Sequence, residues 1–123
     1  MKKRMALLIT SSGMEAAYAP WMMAATAAAM DYECRLFYAF GGLDLLRVQP
    51  LIRGDMDQHA SAMPEPVALR AMCLEQGVEL LACSASLTAR GLSEDDLLSG
   101  TALVGMASWL LFASKAEIQL SFT

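Results

Sequence analysis

Met5–Thr10 (MALLIT) limits the possible folds of this chain more than any other segment. It is a continuous apolar run with no polar alternation, and it stops at Ser11-Ser12-Gly13, a turn signal. A strand of that kind is covered on both faces, as in a parallel sheet sandwiched between helices. The next segment fits that arrangement. Ser12 precedes Glu15 by three positions, the pattern of a capping box, and predicts a helix over 14–30. The sequence after Glu15 reads AAYAPWMMAATAAAM without a single charge, so this helix is expected to be buried all round and kinked at Pro20.

The remaining chain alternates in the same way. Glu33–Phe40 (ECRLFYAF) reads as a second strand ended by Gly41-Gly42, with a helical turn over Leu43–Leu46. Gln49–Met63 is polar and lacks a period, and is expected to be a mobile loop. Pro64–Gln76 reads as a helix stopped by Gly77, with Leu69, Met72, Cys73 and Gln76 on one face. Val78–Ala82 is the third strand and delivers Cys83; Ser84–Arg90 is a short helix. Ser93 with Asp96 opens another short helical segment, followed by a strand over Ala102–Val104, a helix over Gly105–Lys115 and a last strand over Ile118–Phe122. The expected fold is therefore a single α/β domain spanning 1–123: a flavodoxin-like three-layer sandwich with a mostly parallel five-stranded sheet and helices on both faces. In a flavodoxin-like strand order the first and third strands are neighbours, which would put Thr10–Gly13 and Cys83–Ser86 in one crevice at the carboxyl ends of the strands.

Composition narrows the function classes. Apolar residues make up 56% of the chain and charged residues only 18%, and the excess sits in Ala, Leu and Met. Soluble domains of this size carry roughly 45–50% and 25%. An apolar excess concentrated in two helices predicts a homo-oligomer that hides it. The longest apolar stretches, Ala16–Met30 and Thr101–Ala113, are shorter than the ~20 residues of a membrane span. Lys2, Lys3 and Arg4 before a short apolar run only weakly imitate a signal peptide, so a cytoplasmic location is expected. A net charge of −4 and the lack of a basic stripe argue against nucleic acid. Three cysteines spaced too widely for a metal clip, with a single His59, argue against a metal site and against a disulfide framework.

The chemistry left over is that of thiols. Cys83 falls at a strand-to-helix junction, where free backbone N–H groups and the positive end of a helix dipole favour a thiolate. Ser84 and Ser86 could hydrogen-bond to its sulfur. The alternative is an inert packing thiol. Cys73, on the inner face of the preceding helix, is a core thiol or a second thiol that resolves or receives sulfur from Cys83. Cys34, within a strand, is expected to pack. Thr10–Gly13 could hold an anion at a helix start but lacks the spacing and Lys of a P-loop.

Four segments, Arg4–Gly13 (RMALLITSSG), Leu36–Leu46 (LFYAFGGLDLL), Cys73–Leu87 (CLEQGVELLACSASL) and the pattern at Ala113–Phe122, stand in a telling order and spacing. Together they resemble the DsrE/DsrF/TusD-like sulfur carriers, most closely the stand-alone DsrE-like branch. The resemblance implies a sulfur carrier or sulfurtransferase that relays sulfane sulfur as a persulfide on Cys83, with Cys73 as an additional catalytic cysteine and no cofactor. It implies protein sulfur donors and acceptors, TusA-like or rhodanese-like, as partners, and oligomerisation. A bulky aromatic is expected where this chain has Gly41, and its loss implies an opened crevice. The competing readings are a non-catalytic assembly subunit and a small-ligand-binding module of the same fold.

Overall fold

The computed structural model of the protein describes residues 2–54 and 64–123. The elements follow in the order β1 (Arg4–Ile9), α1 (Met14–Ala29), β2 (Glu33–Tyr38), α2 (Pro66–Glu75), β3 (Glu79–Cys83), α3 (Ser84–Ala89), β4 (Ala102–Val104), α4 (Met106–Ala113) and β5 (Ile118–Phe122). Short 3-10 segments lie at Phe40–Leu46 and Glu94–Asp96. All five strands run parallel in one sheet. Residues 55–63, with Asp57, His59 and most of the expected loop, lie outside the described residues.

The sheet order is β4-β3-β2-β1-β5. The parallel five-stranded sandwich is as expected, but this is not the flavodoxin order: β2 lies between β1 and β3, so the crevice expected between Thr10–Gly13 and Cys83–Ser86 is not formed by neighbouring strands. Within this order, handedness sets which face each helix takes. From β1 to β4 the chain steps one way across the sheet, and right-handed crossovers place α1, α2 and α3 on one face. From β4 to β5 it returns across the whole sheet, and the same rule sends α4 to the other face.

The side-chain alternation of the strands divides accordingly into two cores. Met5, Leu7, Ile9, Cys34, Leu36, Tyr38, Leu80 and Ala82 point toward α1 and α2, where they meet Tyr18, Trp21, Ala24, Leu69 and Cys73. Ala6, Phe37, Leu81 and Cys83 point the other way, onto Trp109 and Phe112 of α4. Trp109 stacks on Phe37 with centroids 5.0 Å apart and planes 11° from parallel. The Arg35 guanidinium lies 4.3 Å from the centroid of Phe112 and closes the rim of this smaller core.

Two expectations for α1 are corrected. Its N-cap is Gly13, with no side-chain cap, and Ser12 is instead buried with its carbonyl accepting from Arg53 N–H at 2.8 Å. The helix runs through Pro20 and is not buried all round: Met22, Thr26 and Met30 face outward. On α2 the inner face consists of Leu69, Arg70 and Cys73, while Met72 and Gln76 are exposed.

The segment after β2 folds across the end of β1 because its glycines allow it. A Cβ on Gly42 would stand 2.2 Å from Ile9 O, so only glycine permits this approach. Beside it, a Cβ on Gly41 would meet Thr10 O at 3.3 Å; main chain fills the space expected to be an opened crevice. Phe40 turns the chain with φ of 52°, an outlying conformation for a bulky residue. The far end of the segment is held by Arg70. This arginine is buried, and its guanidinium donates to the carbonyls of Leu45 (2.7 Å), Arg47 (2.6 Å) and Val48 (2.8 Å). Leu45 lies in the last turn of the 3-10 segment and Arg47 and Val48 follow it, where carbonyls lack an intrahelical partner, so one cation satisfies three acceptors.

Candidate functional site

Cys83 is the last residue of β3 and the residue preceding α3, as the sequence predicts. Its backbone is extended there (φ −68°, ψ 116°), the usual geometry of an N-cap. Register fixes its neighbours: Cys83 pairs with Val104 of β4, and Tyr38–Ala82 pairing brings the end of β2 level with it on the other side. Strand alternation then turns the side chain toward α4, into the cluster with Ala6, Phe37, Ala39, Leu81, Trp109 and Phe112. The residue is 2% exposed. Neither Ser84 nor Ser86 hydrogen-bonds to the sulfur; Ser86 is buried, and Ser84 O accepts from Thr88 Oγ1 at 3.2 Å.

Cys73 lies on the other side of the sheet. It is fully buried among α1, α2 and the strands, and its thiol donates to Trp21 O at 3.2 Å. Burial, with a smaller contribution from the neighbouring Cys34, pushes the Cys73 thiol up to about 11. Cys34 shares that core, its sulfur 3.8 Å from both Ala24 O and Tyr32 O, and burial likewise pushes its thiol up to about 11. The structure thus groups Cys73 with Cys34 and separates both from Cys83 by the thickness of the sheet. All three are free thiols.

The segment after β2 and the end of α3 hold features that sequence reasoning missed. Asp44, in the segment crossing β1, is buried and forms ion pairs with Arg47 and Arg90, each at 3.1 Å. Arg90, at the end of α3, also donates to Phe40 O at 3.1 Å. One arginine therefore ties the helix that begins at Cys83 to the turn that follows β2. Phe40 itself is 62% exposed. The spacing of Asp44 and Arg90, 46 positions apart, carries no sequence signal for their pairing. The positive φ of Phe40, before two glycines, is the one part that turn chemistry could have flagged.

Among the described residues no group of His, Cys, Asp and Glu could hold a metal ion. Among them, too, no helix is long and apolar enough to cross a membrane. Among the described residues, the arrangement offers one sulfur at the carboxyl edge of a parallel sheet, clustered with aromatic and aliphatic side chains of the strands and of α4.

Known proteins share both the sequence and the fold. The sequence matches the DsrE/DsrF-like family over residues 3–122. It is 34% identical to an uncharacterized protein of Methanopyrus kandleri over 110 residues, 89% of this chain and 84% of that one. It is 41% identical to the sulfur carrier protein DsrE2 of Allochromatium vinosum over 49 residues, which are 40% of this chain and only 31% of the carrier. The fold matches the crystal structure of the ychN protein from E. coli with a TM-score of 0.73 at 17% identity, covering 99% of this chain and all of that one. A protein of unknown function from Methanobacterium thermoautotrophicum matches with a TM-score of 0.68 at 18% identity, covering 98% of this chain and all of that one.

Proposed function

Because the chain belongs to the DsrE/DsrF-like family, we propose that it carries sulfane sulfur as a persulfide on Cys83 and passes it between protein thiols, as a sulfurtransferase-like carrier in sulfur trafficking. The observation that carries this reading is the position of Cys83. It is the cysteine at the carboxyl edge of the sheet, where parallel α/β folds present their reactive groups. The partial similarity to a sulfur carrier protein supports the class of cargo.

The chemistry needs no cofactor and no net redox agent. The Cys83 thiolate attacks the outer sulfur of a donor persulfide; the donor's S–S bond breaks, its electron pair leaves on the donor thiolate, and the outer sulfur remains on Cys83. In the second step an acceptor thiolate attacks that outer sulfur and Cys83 leaves as thiolate. Donor and acceptor are protein thiols of the TusA-like or rhodanese-like kind, in the cytoplasm. Cys73 is placed poorly for the acceptor role, since it faces the opposite core. The second thiol then comes from a partner, and Cys73 serves packing.

The burial of Cys83 requires that its cover move before a donor sulfur can reach it. That burial also favours the competing reading, an assembly subunit whose cysteine is inert. Intact-protein mass spectrometry after incubation with a low-molecular-weight persulfide separates the two. Wild type and Cys73→Ser are expected to gain sulfur that a reductant removes, and Cys83→Ser to gain none. Absence of an adduct on all three, together with failure of Cys83 to alkylate in the folded protein, would leave the assembly subunit as the better reading.

A further inference from the structure

We infer that β5 is an assembly edge, at which a second copy of this chain pairs antiparallel across a twofold axis beside Leu120 and extends the sheet. This is independent of any chemistry at Cys83. Among the described residues β5 is an outer strand of the sheet. Open edges of folded proteins are normally blunted by charge, proline, a bulge or very short length. The opposite edge, β4, has three residues. β5 has five, IQLSF, with no charge and no proline, and Leu120 is 43% exposed.

The phase of the strand shows what it offers. Phe122 O accepts from Thr10 N–H at 2.9 Å, so Phe122, Leu120 and Ile118 turn their backbone groups toward β1. Gln119 and Ser121 then direct their N–H and C=O outward. In a twofold antiparallel pair centred on Leu120, Gln119 of one copy stands opposite Ser121 of the other, and each such pair exchanges two hydrogen bonds. Leu120 meets its own copy at the axis, at the closer, non-hydrogen-bonded position. The strand alternates apolar and polar symmetrically about Leu120, so the pairing sets like against like with no charge opposed.

A second observation lies beside the edge. Residues 16–30 carry no charge, yet Met22 and Thr26 of α1 and Met30 just after its end are exposed at intervals of about one turn. These residues border an apolar groove of about 330 Å³, floored by Met5 and Ile118, that runs between α1 and β5. A copy joined at β5 brings its own α1 alongside them, as an isologous interface requires. The apolar excess of the composition then finds its cover.

Analytical ultracentrifugation of the full chain tests this. Wild type is expected at an even multiple of 13.3 kDa. Leu120→Lys sets two like charges opposite each other at the axis and is expected to halve that mass, as is Leu120→Glu; an equimolar mixture of the two variants is expected to restore it. A monomeric or odd-numbered wild type, an unchanged mass in Leu120→Lys, or no recovery in the mixture overturns the proposal. Should the variants fail to fold, wild-type amide exchange decides: Gln119 and Ser121 are expected to exchange at least about tenfold more slowly in the associated protein than free edge amides do. Exchange at the free rate overturns it.

Discussion

Three cysteines in one chain occupy two different settings, and the difference follows from strand and helix phase. Cys34 and Cys73 are deep in the core beneath α1, their thiols pushed up to about 11 by desolvation, while Cys83 faces the thinner core under α4. A thiol whose folded value lies above its unfolded value of about 8.5 holds its proton more tightly when folded. The associated stability is fully present below about pH 8.5 and is lost as pH rises toward 11. Melting temperatures measured between about pH 8 and pH 11 are expected to fall more steeply for wild type than for a Cys34→Ala, Cys73→Ala double variant. Equal slopes would show that the two thiols do not titrate differently on folding. That Cys34 packs in a strand was expected from sequence; which of the two cores the thiols share was not. That Cys73 is helical and inward was legible from its spacing to Leu69; that Arg70 beside it is buried was not, because the carbonyls that receive it lie more than twenty residues away.

At the scale of elements, nearly every strand and helix was legible, because buried strands, turn glycines and helix stops are local signals. Strand β3 ends on Cys83 and the helix begins at Ser84, as the apolar run and the following Ser-Ala-Ser pattern indicate. The capping box expected at Ser12 was a local signal overruled: Ser12 is buried while its backbone carbonyl accepts from Arg53 N–H, and Gly13 takes the cap. The element on which the proposed relay bears most is α4. Among the described residues it is the helix that shares a core cluster with Cys83, and it joins that cluster through Trp109 and Phe112, while Leu110 and Leu111 are exposed. Removing the Trp109–Phe37 stack costs about 0.5–1.5 kcal/mol beyond area burial. Trp109→Ala is therefore expected to raise the alkylation rate of Cys83 by at least about threefold and to leave Cys73 unchanged, as read by mass spectrometry of folded protein under dilute reagent. An unchanged Cys83 rate would mean that access to the sulfur does not depend on α4.

At the scale of the molecule, the parallel α/β class and the likeness to sulfur carriers could be read from the sequence, but the strand order could not. Alternation of strand and helix leaves open where the chain reverses, and that reversal decides which strands are neighbours. Here it comes late, between β4 and β5. Three helices therefore share one face, α4 is alone on the other, and the Thr10–Gly13 turn is kept apart from Cys83 by the end of β2. The single-sided cover over Cys83 and the bare edge at β5 both follow from that order. The proposed sulfur relay rests on the sulfur of Cys83. Its most direct test is peptide-level mass spectrometry of wild-type protein loaded by a persulfide donor and trapped with an alkylating reagent. A relay on Cys83 predicts the additional sulfur on the peptide containing that residue, lost when an acceptor thiol is added. Sulfur found on the Cys73 or Cys34 peptide, with Cys83 unmodified, would contradict it.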